Sequence, residues 1–147
     1  EDILNTPNVF FGGTFSANPL SMYSAKLVLE NIIKERYIKY DFLFEIGEIF
    51  RHSLNTYFTS NSVKIRAMGC GPINRLIFTD KLIKNRKERD KLESTYQNIF
   101  YKELLKNGVF VNGNRIFHLS MCHNKKVIGN IVNSIIKVID NSYGKFY

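Results

Sequence analysis

A chain of 147 residues is one domain's worth of polypeptide and is long enough to bury a core, and its 44% hydrophobic and 23% charged content is that of an ordinary soluble globular protein. No apolar run is long enough to span a bilayer, the acidic start Glu1-Asp2-Ile3-Leu4-Asn5 has no signal-peptide layout, and two cysteines, Cys70 and Cys122, make no disulfide framework, which together point to the cytoplasm and to no membrane. The net charge of +8 raises nucleic acid as a partner, but the densest basic run, from Lys81 to Lys91, is broken by Glu88 and Asp90 and reads as a solvated loop rather than a binding patch. The chain also lacks an initiator Met, and the expectation is a piece of something longer.

The first element in chain order is a loop, Gly12-Gly13-Thr14-Phe15-Ser16-Ala17, that runs into Asn18 and Pro19, a good helix N-cap followed by a residue suited to the first turn. Glycines leave backbone amides open to a guest, a Thr hydroxyl adds a donor, and a helix start adds partial positive charge, so this loop is a plausible seat for a phosphate. The same residues also suit a loop that merely caps a helix. A helix is expected over residues 18–36, with Leu20, Ser24, Leu27, Val28 and Ile32 forming one buried stripe, and a second over residues 40–58, with Leu43, Ile46, Phe50, Leu54 and Tyr57 on its face and Glu45, Glu48 and Arg51 largely off it. No Pro or Gly marks the break between them, so one kinked helix is the alternative.

Residues 63–68 and 74–79 alternate with period two around the turn Gly69-Cys70-Gly71-Pro72 and read as an antiparallel hairpin. A helix over residues 88–106 carries the stripe Leu92, Tyr96, Ile99, Phe100 and Leu104 and stops at Asn107-Gly108. Val109-Phe110-Val111 and Ile116-Phe117-His118-Leu119 read as two further short strands. Asn124 caps a last helix whose face is Ile128, Ile131, Val132, Ile135, Ile136 and Ile139, and the tail from Asn141 is expected to be loose. The pattern predicts an α+β fold: a small, mostly antiparallel sheet with helices packed on one face.

Catalytic chemistry is hard to find in this pattern. There is no Walker-type loop, no dinucleotide fingerprint, no Cys-x-x-Cys, no metal-ligand spacing and no carboxylate pair, so no metal site and no catalytic residue is assigned. His52, His118 and His123 lie on a helix, a strand and a strand end, where packing or surface roles are the plainer reading, and Cys70 has no base arranged beside it. One anion cradle without a catalytic engine is what part of an enzyme would show.

The segment Phe11-Gly12-Gly13-Thr14-Phe15-Ser16-Ala17-Asn18-Pro19-Leu20-Ser21-Met22 resembles the corresponding loop of class III aminotransferases, the fold-type I enzymes that use pyridoxal 5′-phosphate, and most closely their glutamate-1-semialdehyde aminomutase branch. The similarity continues in order through Leu27-Val28-Leu29-Glu30, Leu76-Ile77-Phe78-Thr79-Asp80, Leu104 to Val111 and Leu119-Ser120-Met121-Cys122-His123, and so covers essentially the whole chain. It implies the C-terminal portion of such an enzyme: residues 1–17 as the end of the large domain with the phosphate-binding loop, 18–36 as the connecting helix and 37–147 as the C-terminal small domain.

In that family the Gly-Thr of the loop crosses the dimer interface and binds the cofactor phosphate of the neighbouring subunit. The resemblance gives that role to Gly13, through its backbone, and to Thr14, through backbone and hydroxyl. It implies a homodimeric parent acting on a small-molecule amino substrate and moving an amino group through a cofactor ketimine. The family's Schiff-base Lys lies upstream of the loop, and neither Lys26 nor Lys34 has a claim to its role, so the chain alone is expected to be inactive. Where many relatives acting on α-amino acids carry an Arg in the penultimate strand, this chain has His118, which disfavours an acetylornithine- or ornithine-type substrate. Lys125-Lys126 replaces the acidic start usual for the last helix, which weakens its fit to the helix dipole. The alternative reading is a stand-alone basic α+β module that binds nucleic acid.

Overall fold

The structure, a computed structural model, describes residues 12–79, 81–92, 95–113 and 115–142. In chain order the elements are α1 (Pro19–Ser60), β1 (Arg66–Cys70), β2 (Ile73–Ile77), α2 (Arg86–Asp90), α3 (Thr95–Lys106), β3 (Ile116–His118) and α4 (Lys125–Ser142). Compact packing divides the chain into two units, with the boundary between Tyr37 and Ile38.

Two helices were expected before the hairpin, and one of 42 residues is found. Nothing around Tyr37 to Lys39 breaks the backbone hydrogen-bond ladder, because neither Pro nor Gly occurs there. In the first unit the expected stripe is not buried: Leu20, Leu27 and Val28 are 75%, 49% and 57% exposed. The spacing marks a face that needs a partner, and the described residues of this unit offer no second element to cover it.

The second unit holds the core. Ile46, Phe50, Leu54 and Phe58 recur every fourth residue along α1 and are buried. They meet Tyr96, Phe100 and Leu104 of α3, and Ile128, Val132, Ile135, Val138 and Ile139 of α4. The sheet has the order β1-β2-β3, all antiparallel. Its register pairs Ala67 with Leu76 and Asn74 with Phe117, which puts these four residues on one face, the face that joins the core. Arg66, Met68, Arg75, Ile77 and Ile116 take the other face. The fold is therefore α+β, with helices packed on one side of a small antiparallel sheet. Aromatic rings knit the layers: Phe50 lies 5.3 Å from Phe117, and Phe78 lies 5.3 Å from both Tyr96 and Phe100.

The hairpin is tighter than its sequence suggests. Cys70 pairs directly with Ile73, leaving Gly71-Pro72 as a two-residue loop. Gly71 has φ +49, while the Pro72 ring holds φ negative, the combination of a type II′ turn. That turn rests on α1: a Cβ on Gly47 would lie 1.9 Å from the Gly71 carbonyl oxygen. Beside it Arg51, placed by its spacing on the polar face, is buried instead. Its Nη1 donates to the Gly71 carbonyl at 3.0 Å and to Asn74 Oδ1 at 2.5 Å, and its Nη2 donates to Glu48 Oε1 at 2.5 Å. A buried guanidinium needs such partners. Asn55 stands in for a neighbouring strand at the outer edge of β1, accepting from the Ala67 amide at 2.8 Å and donating to its carbonyl at 2.9 Å.

The strand expected at Val109-Phe110-Val111 does not form. The reason is the helix stop before it. Gly108, at φ +82, ends α3 in a Schellman motif in which its own amide donates to the Leu105 carbonyl and the Val109 amide to that of Leu104. Val109 spends its donor on the cap and packs its side chain against the core. The charged stretch after β2 is not all loop either, since it contains α2, capped by Asn85 through the Glu88 amide. Asn124 caps α4 as expected, accepting from the Val127 amide at 3.0 Å. Lys125 beside it reaches Glu45 of α1 at 2.5 Å. The tail beyond Ser142 lies outside the described residues.

Candidate functional site

The residues singled out for phosphate binding, Gly13 and Thr14, lie in a pair of turns. The Ser16 amide donates to the Gly13 carbonyl at 2.9 Å and the Asn18 amide to that of Phe15 at 3.3 Å. Ala17 between them takes a left-handed conformation, φ 59, which costs a non-glycine residue about 1–2 kcal/mol. Asn18 then caps α1: its Oδ1 accepts from the Leu20 and Ser21 amides, both at 3.1 Å. Gly12, Gly13 and Thr14 are exposed in this chain. A Cβ on Gly13 would sit 3.2 Å from Ser16 Oγ, so a side chain there needs the serine hydroxyl to give by a few tenths of an ångström. The donor set is main-chain amides and one hydroxyl near the start of a long helix. That chemistry suits a phosphate, so the residues present fit the phosphate end of the expected cofactor.

The other residues considered do not assemble. Lys26 pairs with Glu30 at 3.8 Å on exposed helix surface, and Lys34 is exposed. His52 and His118 are exposed. His123 closes a local turn, its Nδ1 lying 2.9 Å from the Ser120 amide and 2.8 Å from Ser120 Oγ. Cys70 and Cys122 are exposed free thiols.

The basic run resolves into structure that sequence reading missed. Arg86 and Arg89 of α2 both reach Asp90, at 3.4 Å and 2.6 Å. The hydrogen bond from Arg89 is the main cause holding the Asp90 carboxyl below its ordinary range. Together with Arg75 of β2 and Arg115, which precedes β3, they line a cavity of about 520 Å³. The signal was present only as scattered arginines, because Arg75 and Arg115 lie far apart in the chain.

No protein-family model matches the chain. It is 26% identical over 134 residues to glutamate-1-semialdehyde 2,1-aminomutase of Hydrogenobaculum sp. (strain Y04AAS1), covering 90% of this chain and 31% of that protein. It is 28% identical over 123 residues to glutamate-1-semialdehyde 2,1-aminomutase 2 of Staphylococcus haemolyticus (strain JCSC1435), covering 82% of this chain and 28% of that one. The chain resembles the C-terminal portion of a class III aminotransferase of the aminomutase branch. It spans about a third of the length of these curated relatives. Among solved structures, an omega-transaminase from Sphaerobacter thermophilus superposes with a TM-score of 0.76 over 94% of this chain and 31% of its own, at 20% identity. A transaminase with PLP bound superposes at 0.70 over 95% of this chain and 31% of its own, at 18% identity. The α+β fold of this chain matches that of transaminase C-terminal domains. Among the described residues no helix is long and apolar enough to cross a membrane.

Proposed function

We propose that this chain is the C-terminal part of a pyridoxal-phosphate-dependent aminotransferase or aminomutase. In this reading residues 1–17 end the large domain, 18–36 form the connecting helix and 37–147 form the small domain. Within a homodimer, the Gly13 and Thr14 amides and the Thr14 hydroxyl hold the phosphate of a cofactor bound mainly by the other subunit. Pyridoxal phosphate, when bound, supplies the electron sink for chemistry at an amino-bearing carbon. The part played by this chain is to hold the anionic end, orient it, and let the small domain close over a small-molecule amino substrate. What supports the reading is the exposed Gly12-Gly13-Thr14 turn ahead of the Asn18 cap, in a chain similar to glutamate-1-semialdehyde 2,1-aminomutase over 90% of its length.

The exposed apolar residues of α1, among them Leu20, Leu27, Ile33 and Ile38, are the surface that the rest of such an enzyme would cover. The chain alone carries neither a candidate Schiff-base lysine nor another candidate catalytic group, and it is expected to be inactive. The test uses the enzyme encoded when this chain is joined to any upstream large domain in its reading frame. Thr14→Val, which keeps the shape and removes the hydroxyl, is expected to weaken cofactor retention on dialysis about tenfold, the loss of one charge-assisted hydrogen bond. Unchanged retention would remove Thr14 from the site. For the chain alone, borohydride reduction after incubation with the cofactor is expected to leave no stoichiometric adduct at a single lysine. Such an adduct, read by mass spectrometry, would overturn the inactivity.

A further inference from the structure

We propose that the cavity between α2, β2 and the segment entering β3 is a binding site for a compact phosphate-bearing small molecule. Four arginines line its volume of about 520 Å³, Arg75, Arg86, Arg89 and Arg115, and among the described lining residues Asp90 is the one carboxylate. That volume is in the range of ordinary small-molecule sites.

Two of the guanidinium groups, those of Arg115 and Arg89, are held in place before any ligand arrives. Arg115 donates from Nη1 to Gln97 Oε1 and from Nη2 to Asn98 Oδ1, both at 2.7 Å, and its Cζ stands 5.9 Å from the centre of the Tyr101 ring. Its backbone is held in the left-handed region, φ 59, a conformation that persists only where the surroundings impose it. Arg89 is held by a two-point contact with Asp90 Oδ1, through Nε at 2.9 Å and Nη2 at 2.6 Å, while the exposed Arg86 reaches Oδ2 of the same carboxylate at 3.4 Å. The sheet fixes the backbone of Arg75, paired with Met68 on one side and Ile116 on the other. Preorganised cations bind an anion with little further ordering.

The arrangement selects phosphate over carboxylate. A carboxylate is planar and one guanidinium fork satisfies it, whereas a phosphate presents oxygens on a tetrahedron and accepts forks from several directions. Four arginines from three segments of chain suit the second geometry. A concave site rather than a stripe of cations along a surface also favours a compact ligand over a nucleic-acid strand.

The test is calorimetric titration of the 147-residue chain with inorganic pyrophosphate at low salt, against citrate and a single-stranded oligonucleotide under the same conditions. Saturable 1:1 binding of pyrophosphate, at least tenfold tighter than citrate, is expected. Arg75→Gln and Arg115→Gln should each weaken it about tenfold. Arg86→Gln should weaken it about threefold, while the exposed Lys126→Gln leaves it unchanged. Because the Arg86 side chain is 83% exposed, its replacement leaves the fold intact and carries the test even if an inner variant unfolds. Absence of saturable binding, equal loss with Lys126→Gln, indifference to Arg86→Gln, or citrate binding as tight as pyrophosphate would each overturn the proposal. Arginine-dependent binding of the oligonucleotide that exceeds pyrophosphate would reassign the site to nucleic acid and overturn it too.

Discussion

Residues 12–37 and 38–142 carry helical stripes of similar quality, yet one is left exposed and the other forms the core. Leu27 and Val28 lie two helical turns beyond Leu20 and share its face, as Ile46, Phe50 and Leu54 share theirs at four-residue steps, but the first three are 49% to 75% exposed and the last three fully buried. Periodicity reports a demand for a covering surface; it does not say which surface meets it. In the second unit α3, α4 and the sheet meet it. In the proposed parent enzyme the first stripe is covered by other parts of the assembly.

The largest effect that separates the two regions comes from cavity formation. Phe50→Ala removes a fully buried ring that packs at a tilt against Phe117, and is expected to cost about 3–5 kcal/mol, a large share of the stability of a domain this size. Leu27→Ala in the isolated chain should change stability by less than about 0.5 kcal/mol. Denaturant midpoints measure both. A Leu27→Ala cost approaching that of Phe50→Ala would mean that the first stripe is buried within this chain after all.

Two glycines sharpen the comparison from the backbone side. Gly47→Ala drives a methyl into the Gly71 carbonyl at 1.9 Å and is expected to cost about 1–3 kcal/mol, because neither the helix nor the tight turn can give way easily. Gly129 lies inside α4 with nothing within 4 Å of a built Cβ, so Gly129→Ala should stabilise by about 0.5–1 kcal/mol. The same substitution on two helices of one core is thus expected to act in opposite senses, and thermal midpoints of the pair decide it.

Much of the fold was legible because period and punctuation are local. The α4 stripe, the α3 stripe from Tyr96 to Leu104, the Asn107-Gly108 stop and the Asn124 cap follow from neighbours within a few residues, whereas the helix expected over 88–106 is split, with Leu92 between α2 and α3. The failures arise where distant chain decides. Arg51 reads as solvated until the Gly71 carbonyl and Asn74, some twenty residues on, supply its partners. Val109 to Val111 has strand composition, but the helix cap takes the Val109 amide first. At the candidate site the turn and its cap were legible from Gly13 to Asn18, whereas the arginine cavity was not, since only the fold brings Arg75 and Arg115 to Arg86 and Arg89.

A smaller effect belongs to the first region alone. Asn18→Ala removes the acceptor for the Leu20 and Ser21 amides and is expected to cost about 1 kcal/mol. Amide exchange at those two residues should quicken about fivefold, while that of Phe50 stays as it was. Equal acceleration at Phe50 would tie the two regions into one cooperative unit.

The smallest effect at neutral pH lies in the core. The Tyr101 hydroxyl is buried and has no hydrogen-bond partner among the described residues, and burial pushes its pKa from 10.0 up to about 12 against the opposing charges of Arg75 and Arg115. The sign follows from proton binding: between pH 10 and 12 the unfolded chain releases this proton and the folded chain keeps it, so the stability present below pH 10 is lost as pH rises to 12. Tyr57 adds to the same alkaline loss, raised to about 12 by desolvation and by its hydrogen bond to Asp140, though solvent near that bond makes the share small. Tyr101→Phe keeps the ring under Arg115 and deletes the orphan hydroxyl. It should stabilise the chain by up to about 1 kcal/mol at pH 7 and flatten the fall in stability above pH 10. Denaturation series across that range measure the slope. An unchanged slope in Tyr101→Phe would place the alkaline sensitivity elsewhere and show that the hydroxyl reaches water.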